Sequence, residues 1–418
     1  MSLKETRRRL PIVDALPRSG NRYFSQRKAA QRPAPTYAVW ELTLACDQRC
    51  SACGPRAGKA RSDELSTAEA LDVVEQLAQM GVGEVTLIGG EAYLRDDVLF
   101  VIRRIRERGM KATMTTGGLT LTRARAEALV EAGIELVSVS IDGLEATHDA
   151  LRGTKGGWRR AIEALRHVKA CGARIAANTQ INRQTMGELV ALGRVLADEG
   201  IEAWQMFLTI AHGNAADHPQ MLLQPYMLVE VYEELERVLD LCDARGVRFW
   251  PGNNLGYFGP LEGRLRRNQN ADAHYQGCQA GRTGLGIESD GRLKSCPSLG
   301  GPANTGGNLR QRSLVQMWDE APQMRALGRR TVEDLWGYCR ECYYAQTCLA
   351  GCTATTEPLF GRPGNNPFCH HRVLELRGRG LRERLVQAEA APDEPFGMGR
   401  FDLIVEPIEP DAAKPNSP

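Results

Sequence analysis

The chain has 418 residues, too many for one ordinary hydrophobic core, and this length favours two or three domains or one barrel with additions. Charged residues make up 25% of it and hydrophobic residues 42%, which excludes a wholly disordered chain, a collagen and a coiled coil. The net charge of +2 gives no overall basic field, so we expect no nucleic-acid partner.

No run of about 18 apolar residues is present, so we expect no membrane span and no membrane partner. Residues 1–35 are basic and contain proline but lack an apolar core, unlike a secretory signal. We therefore expect a cytoplasmic protein. Disulfides are rare in the cytoplasm, so the twelve cysteines need another explanation.

Between residues 38 and 215, short apolar runs alternate with helical patterns that end at a glycine. The predicted strands are Ala38–Ala45, Glu84–Ile88, Lys111–Thr115, Leu136–Ile141, Arg174–Ile181 and Ala203–Leu208. The predicted helices begin near Ser66, Val98, Arg123, Trp158 and Met186. This alternation indicates parallel βαβ units, and six units are fewer than the eight of a full barrel. We predict an incomplete barrel or an open α/β sheet.

Each unusual loop in this region follows a predicted strand. Cys46–Cys53 follows the first strand, Gly89–Glu91 the second, Thr116–Gly118 the third and Asp142-Gly143 the fourth. In parallel α/β folds the chemistry lies at the carboxyl ends of the strands. We therefore expect these four loops to converge around one site.

The first cysteine group is Cys46-x3-Cys50-x2-Cys53. Three thiolates this close in sequence should bind the same metal centre. A structural zinc site usually has four ligands, and no fourth cysteine or histidine lies nearby in the sequence. An iron–sulfur cluster tolerates three thiolates and leaves one iron for another ligand.

The second group contains seven cysteines in the last third of the chain: Cys278, Cys296, Cys339, Cys342, Cys348, Cys352 and Cys369. Pairs of the C-x2-C type also occur in zinc sites. Seven thiols suit two iron–sulfur clusters better, one with four cysteines and one with three. Cys171 and Cys242 lie in helical patterns, so we predict that both are small buried apolar residues.

The first cysteine loop, together with Gly89-Gly90-Glu91 one strand later, resembles the radical S-adenosylmethionine (radical SAM) superfamily. The resemblance implies that Cys46, Cys50 and Cys53 hold a catalytic [4Fe–4S] cluster whose fourth iron binds SAM. It also implies an activity: the reduced cluster cleaves SAM to a 5′-deoxyadenosyl radical, which abstracts hydrogen from a substrate.

The same resemblance implies a set of SAM-binding residues: Gly89, Gly90, Glu91, Ser140, Arg152, Asn178 and Gln180. The glycines would let the backbone approach the methionine part of SAM, and Glu91 would accept from its ammonium group. Ser140 resembles the ribose-binding position. Arg152 would anchor the carboxylate of SAM, or else lie at the surface.

The seven later cysteines match the spacing of the SPASM extension of this superfamily over about residues 275–372. By that resemblance, the outer auxiliary cluster has four ligands: Cys339, Cys342, Cys348 and Cys369. The inner cluster has three: Cys278, Cys296 and Cys352. Its fourth iron would be open or would bind a ligand other than cysteine, for which His274 is a candidate.

These patterns predict an α/β protein with a partial (β/α)6 TIM-type barrel followed by a small cysteine-rich SPASM domain that holds auxiliary iron–sulfur clusters. The expected boundaries are an N-terminal extension at 1–35, the barrel at 36–215, a linker helix and substrate-side segment at 216–274, the SPASM domain at 275–375, and a C-terminal helix and tail at 376–418. Within the tail, Phe401–Val405 could add an edge strand.

SPASM proteins mostly modify peptides, so the resemblance favours a ribosomally made precursor peptide as substrate, with an electron donor such as flavodoxin or ferredoxin. The residues before the barrel are too few for a leader-binding module, which would call for a separate leader-binding protein. Anaerobic sulfatase maturases carry an aspartate where this chain has Pro297, which argues against that activity. His212–Ala216 resembles the variable loop over the substrate.

Two alternatives remain. One is a radical SAM enzyme that acts on a small molecule or a tetrapyrrole cofactor precursor. The other is a non-catalytic protein that binds zinc or iron–sulfur clusters, for example in electron transfer.

Overall fold

The computed structural model describes residues 34–269 and 272–409. Seven parallel strands come first in the chain: β1 Tyr37–Thr43, β2 Glu84–Gly89, β3 Lys111–Thr116, β4 Leu136–Ser140, β5 Arg174–Ile181, β6 Ala203–Leu208 and β7 Arg248–Pro251. Three more join the same sheet: β8 Gly284–Ile287, β9 Arg292–Lys294 and β10 Thr305–Asn308. The order across the sheet is β10-β9-β8-β1-β2-β3-β4-β5-β6-β7.

All six predicted strands are present: two have both of the predicted ends, and the ends of the other four differ by at most two residues. The sheet is open at β7 and β10, so the prediction of a partial barrel is confirmed. The core beside the sheet consists of apolar side chains from buried positions of the strands. Examples are Trp40 and Leu42 of β1 and Val137 and Val139 of β4.

The sheet is wider than the sequence predicted, because β7 and β8 extend it at both sides. β7 pairs in parallel with β6, and β8 pairs in parallel with β1. Neither segment carries a strong strand signal: β7 has four residues and ends at Pro251, and β8 reads Gly-Leu-Gly-Ile. The sheet therefore crosses the proposed boundary at residue 275, and the domain boundaries stay a prediction.

The helices of the described residues are α1 Thr67–Gln79, α2 Val98–Glu107, α3 Arg123–Ala132, α4 Glu145–Arg152, α5 Gly157–Ala170, α6 Leu189–Glu199, α7 Asn214–Asp217, α8 Leu228–Arg245, α9 Glu262–Arg266, α10 Leu314–Glu320, α11 Pro322–Ala326, α12 Tyr338–Glu341, α13 Ala345–Cys348, α14 Thr353–Phe360 and α15 His370–Gly378. Successive neighbours α1, α2, α3, α5, α6 and α8 pack side by side along the sheet. Ser66 and Glu69 form a complete capping box at the start of α1.

Helix α4 was not predicted. It is eight residues long, follows β4 in the chain and packs against α5, with His148 and Leu151 buried. Gly153 ends it in the left-handed conformation at φ 64°. This short helix matters for the site because its last residue is Arg152.

The C-terminal region differs from the predicted helix and tail. After α15, residues Leu381–Glu389 (β11) and Arg400–Pro407 (β12) form an antiparallel hairpin. The predicted strand at Phe401–Val405 exists, but it pairs with β11 and not with an edge of the main sheet. The sequence of β11 lacks a clear alternation of polar and apolar residues, because the charged residue Glu383 occupies a buried, inward position. Arg372 of α15 pairs with it there at 2.6 Å.

Among the described residues, no helix combines the length and the apolar composition that a membrane span needs.

Candidate active site and cluster-binding cysteines

A cavity of about 290 Å³ lies at the carboxyl ends of the first strands. Nearly every predicted site residue of the barrel lines it: Cys46, Cys50, Cys53, Gly89, Gly90, Glu91, Ser140, Arg152 and Gln180. Thr116 and Gly117, after β3, line it as well. Three of the four loops predicted to converge thus line one cavity, and the fourth, Asp142-Gly143, contacts it through the pairing of Asp142 with Arg152.

Asn178 is the exception, because it does not line this cavity. Its side-chain oxygen accepts from the hydroxyl of Ser138 at 2.9 Å, within the buried part of the sheet. Residues 178 and 180 face the same side of β5, but Asn178 lies about 7 Å farther from the strand end. It belongs to the layer of side chains below the site.

Gly89 and Gly90 pack directly against the segment that carries the cysteines. The backbone N–H of Gly90 donates to Thr43 O at 2.8 Å, and that of Glu91 donates to Ala45 O at 2.7 Å. A Cβ atom on Gly90 would lie 2.1 Å from Ala45 O and 2.8 Å from the Cβ of Cys46. A side chain at either position would collide with the backbone of residues 43–45 or with Cys46, so both positions require glycine.

Glu91 is buried between the second and third strand ends. Its carboxylate accepts from the hydroxyl of Thr116 and, at 2.6 Å, from the backbone N–H of Gly117. Burial raises the pKa of Glu91 to about 8, although these two hydrogen bonds oppose the increase. The side chain thus links the loop after β3 to the cysteine segment.

Arg152 is buried and lies between Asp142 and the cysteines. Its Nη2 is 2.6 Å from Asp142 Oδ2, and its Nη1 is 3.7 Å from Cys50 Sγ. The other oxygen of Asp142 accepts from the backbone N–H of Gln180 at 2.7 Å. The alternative of a surface arginine is therefore wrong, and Arg152 connects the ends of β4 and β5 to a cysteine.

All three sulfurs of the first group have a hydrogen-bond donor nearby. Backbone N–H groups of Gln48 and Ala57 donate to Cys46 Sγ at 3.4 Å and to Cys53 Sγ at 3.3 Å, and Arg152 faces Cys50. Burial raises the pKa of Cys46 to about 12 and that of Cys53 to about 11. A metal would have to displace the thiol protons, and the donors would then stabilise the thiolates. These residues fit an iron–sulfur cluster.

The distances between the sulfurs differ from those of a zinc site. Zinc–sulfur bonds of about 2.3 Å would bring tetrahedral thiolates to about 3.8 Å from one another. Over residues 34–269 and 272–409, the one group of three metal-type ligand atoms within 4.8 Å is Cys46, Asp47 and Glu91, which contains a single sulfur. Among the described residues, no three cysteine sulfurs lie within 4.8 Å of one another.

Four of the later cysteines line a second, small cavity of about 20 Å³: Cys339, Cys342, Cys348 and Cys369. Backbone N–H groups donate to two of these sulfurs, from Asn366 to Cys339 at 3.2 Å and from Tyr344 to Cys342 at 3.4 Å. The structure gathers the four cysteines that the resemblance assigned to the outer cluster.

The remaining three later cysteines also lie near one another. Cys296 and Cys352 pack in one apolar cluster with Tyr257, Tyr275 and Leu299. Burial is the largest cause that raises the pKa of Cys296 and that of Tyr275, and the charges of Cys278 and Cys352 are the next largest. One ring nitrogen of His274 is directed at the backbone, since its Nδ1 lies 3.0 Å from the backbone oxygen of Tyr275.

The loop of the C-terminal hairpin, residues 390–399, covers the first cavity. Phe396 lines this cavity, and its backbone N–H donates to Gly54 O at 2.8 Å. Its ring stacks on His212 at 5.5 Å, and the ammonium group of Lys294 lies 3.9 Å from the ring centroid. Sequence reasoning missed Phe396 and Lys294, because neither belongs to a local motif.

Comparison with known proteins agrees with this geometry. The model of the radical SAM superfamily matches residues 40–192, and the model of the SPASM iron–sulfur cluster-binding domain matches residues 278–343. The AdoMet-dependent heme synthase of Methanosarcina barkeri is 26% identical over 358 residues, which cover 82% of this chain and 98% of that protein. The mycofactocin maturase MftC of Mycobacterium ulcerans is 29% identical over 346 residues, covering 80% and 88%.

Among solved structures, Streptococcus suis SuiB bound to its precursor peptide SuiA has a TM-score of 0.61 at 18% identity. The match covers 77% of this chain and 72% of SuiB, and it shows a shared fold. The two matched family regions contain the cysteine loop after β1 and the start of the later cysteine group. The cofactors of the protein are iron–sulfur clusters and SAM, and the chain belongs to the radical SAM superfamily as an enzyme with a SPASM domain.

Proposed function

We propose that the protein cleaves SAM reductively and uses the radical to remove a hydrogen atom from a ribosomally made precursor peptide. The convergence of Cys46, Cys50 and Cys53 with the Gly-Gly-Glu segment in one cavity carries this proposal. When bound, a reduced [4Fe–4S] cluster supplies the electron that breaks a carbon–sulfur bond of SAM, giving methionine and a 5′-deoxyadenosyl radical.

The chain holds the three cysteines through neighbouring strand ends. Hydrogen bonds from Gly90 and Glu91 fix the backbone before Cys46. Arg152 places a positive charge beside Cys50 and is itself held by Asp142. The cysteines therefore enter the reaction in a preorganised geometry, which lowers the cost of reaching the reactive arrangement.

The SAM-binding roles follow from position in the cavity. Ser140 and Gln180, at the ends of β4 and β5, offer hydroxyl and amide groups to the ribose. Glu91 offers its carboxylate to the ammonium group of SAM, and Arg152 offers a guanidinium to its carboxylate. Asn178 lies too deep for such a contact.

The hairpin loop protects the site. The rings of Phe396 and His212 stack on each other, and both residues line the cavity. An organic radical reacts with whatever reaches it, so exclusion of water and of other molecules prevents side reactions. A cover that substrate can displace suits such chemistry.

The relatives, and not the volume of the cavity, favour a peptide, since the cavity of about 290 Å³ must already admit SAM. A maturase among the relatives, and the shared fold with SuiB bound to a precursor peptide, support the same substrate class.

A tetrapyrrole substrate is the second candidate. The relative named AdoMet-dependent heme synthase matches along 98% of its length, so its whole architecture is present in this chain. A tetrapyrrole would then have to insert a side chain into the cavity while its ring stays outside.

The later cysteines would hold two auxiliary clusters. We assign the outer cluster to the four cysteines that line the small cavity: Cys339, Cys342, Cys348 and Cys369. We assign the inner cluster to Cys278, Cys296 and Cys352. An external donor such as flavodoxin or ferredoxin would reduce the enzyme, and a separate leader-binding protein would present the peptide.

The test is anaerobic. The reconstituted protein is mixed with SAM and dithionite, and 5′-deoxyadenosine is followed by mass spectrometry. The triple variant Cys46→Ala/Cys50→Ala/Cys53→Ala is the control. We expect deoxyadenosine from the wild type alone. A peptide encoded beside the gene, deuterated at its side chains, should then transfer deuterium to deoxyadenosine, whereas transfer from a deuterated porphyrin propionate instead would favour the second candidate.

A further inference from the structure

The three cysteines assigned to the inner cluster leave one iron of a [4Fe–4S] cluster without a thiolate. Such an iron is either open, and then binds water or substrate, or it is closed by another side chain. The difference decides whether the inner cluster can take part in substrate binding.

Three buried hydroxyls near these cysteines have no hydrogen-bond partner among the described residues: those of Tyr275, Ser295 and Thr355. Tyr275 suits a ligand role best, because a phenol loses its proton more readily than an aliphatic hydroxyl. It is 2% exposed, and within the described part of the chain its hydroxyl is buried without a hydrogen-bond partner. Buried phenol groups normally find a partner. An orphaned oxygen of this kind indicates a ligand that the protein chain does not itself supply.

Tyr275 lies near cysteines of both sets. The apolar cluster that contains its ring includes Cys352, and Cys296, Cys348 and Cys369 pack against this cluster. Cys278, an inner cysteine, follows three residues later in the chain. The ring of Tyr257 meets it edge-on at 5.0 Å. The hydroxyl of Tyr257 in turn accepts from the backbone N–H of Cys352 at 3.1 Å, so both tyrosines border the inner set.

The position of Tyr275 is fixed by contacts that do not use its hydroxyl. Its backbone N–H donates to buried Glu262 at 2.8 Å, and the guanidinium of Arg266 lies 5.3 Å from its ring centroid. Glu262 also accepts from the backbone N–H of Tyr257 at 2.8 Å. The scaffold therefore holds the phenol in place while its oxygen stays uncommitted.

Other side chains nearby fit the role less well. His274, the ligand suggested by the sequence, has its Nδ1 at the carbonyl oxygen of its own neighbour and its ring beside Phe258. The hydroxyl of Tyr257 donates to Asn253 O and accepts from Cys352. Both of these groups are already engaged.

We propose that the phenol oxygen of Tyr275 is the fourth protein ligand of the inner cluster, beside Cys278, Cys296 and Cys352. The proposal rests on the ligand set proposed above. An Fe–O bond replaces the phenol O–H bond, and the proton leaves to solvent while the cluster assembles. The phenolate carries the same charge as the thiolate that is missing, so the ligand charge equals that of an all-cysteine cluster.

A closed inner cluster would not bind substrate through iron. Its role would be to pass electrons between the outer cluster and the radical site, at a potential set by the harder oxygen ligand and by burial.

The experiment uses full-length protein with Cys46→Ala/Cys50→Ala/Cys53→Ala, so that the auxiliary clusters alone contribute. The protein is grown with ring-deuterated tyrosine or unlabelled tyrosine and studied by resonance Raman spectroscopy in the charge-transfer region. We expect tyrosinate ring bands that shift with deuteration. They should vanish in Tyr275→Phe and persist in the matched variant Tyr257→Phe, which removes a neighbouring buried hydroxyl. Absence of isotope-sensitive bands in protein that retains Tyr275 would overturn the proposal without any substitution at that residue.

Cyanide provides a second readout. In Tyr275→Phe one iron should become open, so cyanide should shift the electron paramagnetic resonance signal of one auxiliary cluster. Protein with Tyr275 should show no shift, and a shift there would mean that the iron is already open and that the proposal is wrong.

The ligand set is checked separately. Cys296→Ala should lose about four irons, and an unchanged iron content would overturn both the set and the role of Tyr275. Failure of deoxyadenosine formation in the complete enzyme would overturn the proposed function alone, since the Raman bands come from protein without the radical cluster.

Discussion

Arg152 lies against Cys50, with Nη1 3.7 Å from Sγ, while its other terminal nitrogen pairs with Asp142 at 2.6 Å. This contact puts a buried positive charge next to one ligand of the proposed radical cluster. A nearby positive charge stabilises the reduced, more negative form of a cluster, so it should raise the reduction potential.

We therefore expect Arg152→Gln to lower the potential of the radical cluster. A hydrogen bond from a charged group contributes about 1.5–3 kcal/mol, which corresponds to about 65–130 mV for one electron. Redox titration followed by electron paramagnetic resonance measures the change. Loss of Arg152 alone would leave Asp142 buried and unpaired, so Asp142→Asn/Arg152→Gln should do less damage to stability. Its potential should fall less than that of Arg152→Gln, because loss of the Asp142 charge acts on Cys50 in the opposite direction.

Exposed Arg160 of α5, which pairs with Glu163, is the matched control for Arg152. Arg160→Gln should leave the potential unchanged. An Arg152→Gln potential equal to that of the wild type would mean that the guanidinium does not influence the cluster.

Gly90→Ala should prevent loading of the radical cluster. The new Cβ would lie 2.1 Å from Ala45 O, so the cysteine segment would have to move. We expect a loss of about four irons per protein and of deoxyadenosine formation, measured by iron analysis and mass spectrometry.

Gly58 belongs to the same segment, and nothing lies within 4 Å of a Cβ atom placed on it. Gly58→Ala should therefore keep its iron. Full iron content in Gly90→Ala would show that the close approach to strand β1 is not required for cluster binding.

Acid should destabilise the protein through His148. The pKa of this buried residue is lowered to about 4 by burial and by Arg152, and its Nδ1 accepts from the backbone N–H of Asp142 at 3.2 Å. The unfolded chain then binds a proton at a higher pH than the folded one. Stability from this group is complete above about pH 6.5 and is lost as pH falls toward 4, by at most about 1.4 kcal/mol per pH unit.

Urea unfolding of the cluster-free protein between pH 7.5 and 5 measures this slope. His148→Gln should make it shallower, whereas substitution of exposed His218 to Gln should leave it unchanged. An equal slope in His148→Gln and wild type would assign the acid sensitivity to other groups.

Phe396→Ala should uncouple SAM cleavage from the substrate. The ring is 8% exposed and covers the cavity between His212 and Lys294. Its removal would admit water, so we expect several-fold more deoxyadenosine in the absence of substrate and less modified product in its presence. Val405→Ala, at an exposed position of the same hairpin, should behave like the wild type. Tight coupling in Phe396→Ala would mean that the hairpin loop does not protect the radical.

The parts of the fold and site that could be predicted are those with local signals. The strands from Tyr37 to Leu208 are apolar runs that alternate with helical patterns ending at glycines. The cysteine loop and Gly89–Glu91 follow two of these strands, so their convergence follows from parallel topology. Strand β8 and the hairpin had no such signal. β8 is short and rich in glycine. In β11, the charged residue Glu383 interrupts the alternation of polar and apolar residues, and its partner Arg372 can be identified only in the folded chain.

The same reason explains the errors in the site. Ser140 and Asn178 both sit on paired strands, but the depth of a residue below the strand end depends on register, which a sequence does not state. Phe396 reaches the cavity only because the hairpin folds back over the barrel. The sequence left Arg152 either as a SAM-binding residue or as a surface residue, and its position was settled only once α4 and Asp142 were placed beside it.

The pairing of β8 with β1 has a consequence for the order of events during synthesis. Strand β1 leaves the ribosome early, and a neighbour that completes its second edge is made some 250 residues later, as the contact of Glu41 with Ser289 at a separation of 248 shows. Contacts this distant form late. The cysteine loop just after β1 therefore waits for the cysteine-rich region before its surroundings are complete, and the segment around Phe396 is later still. Iron delivered between these two stages would meet a nearly finished chain whose metal site is still open to solvent.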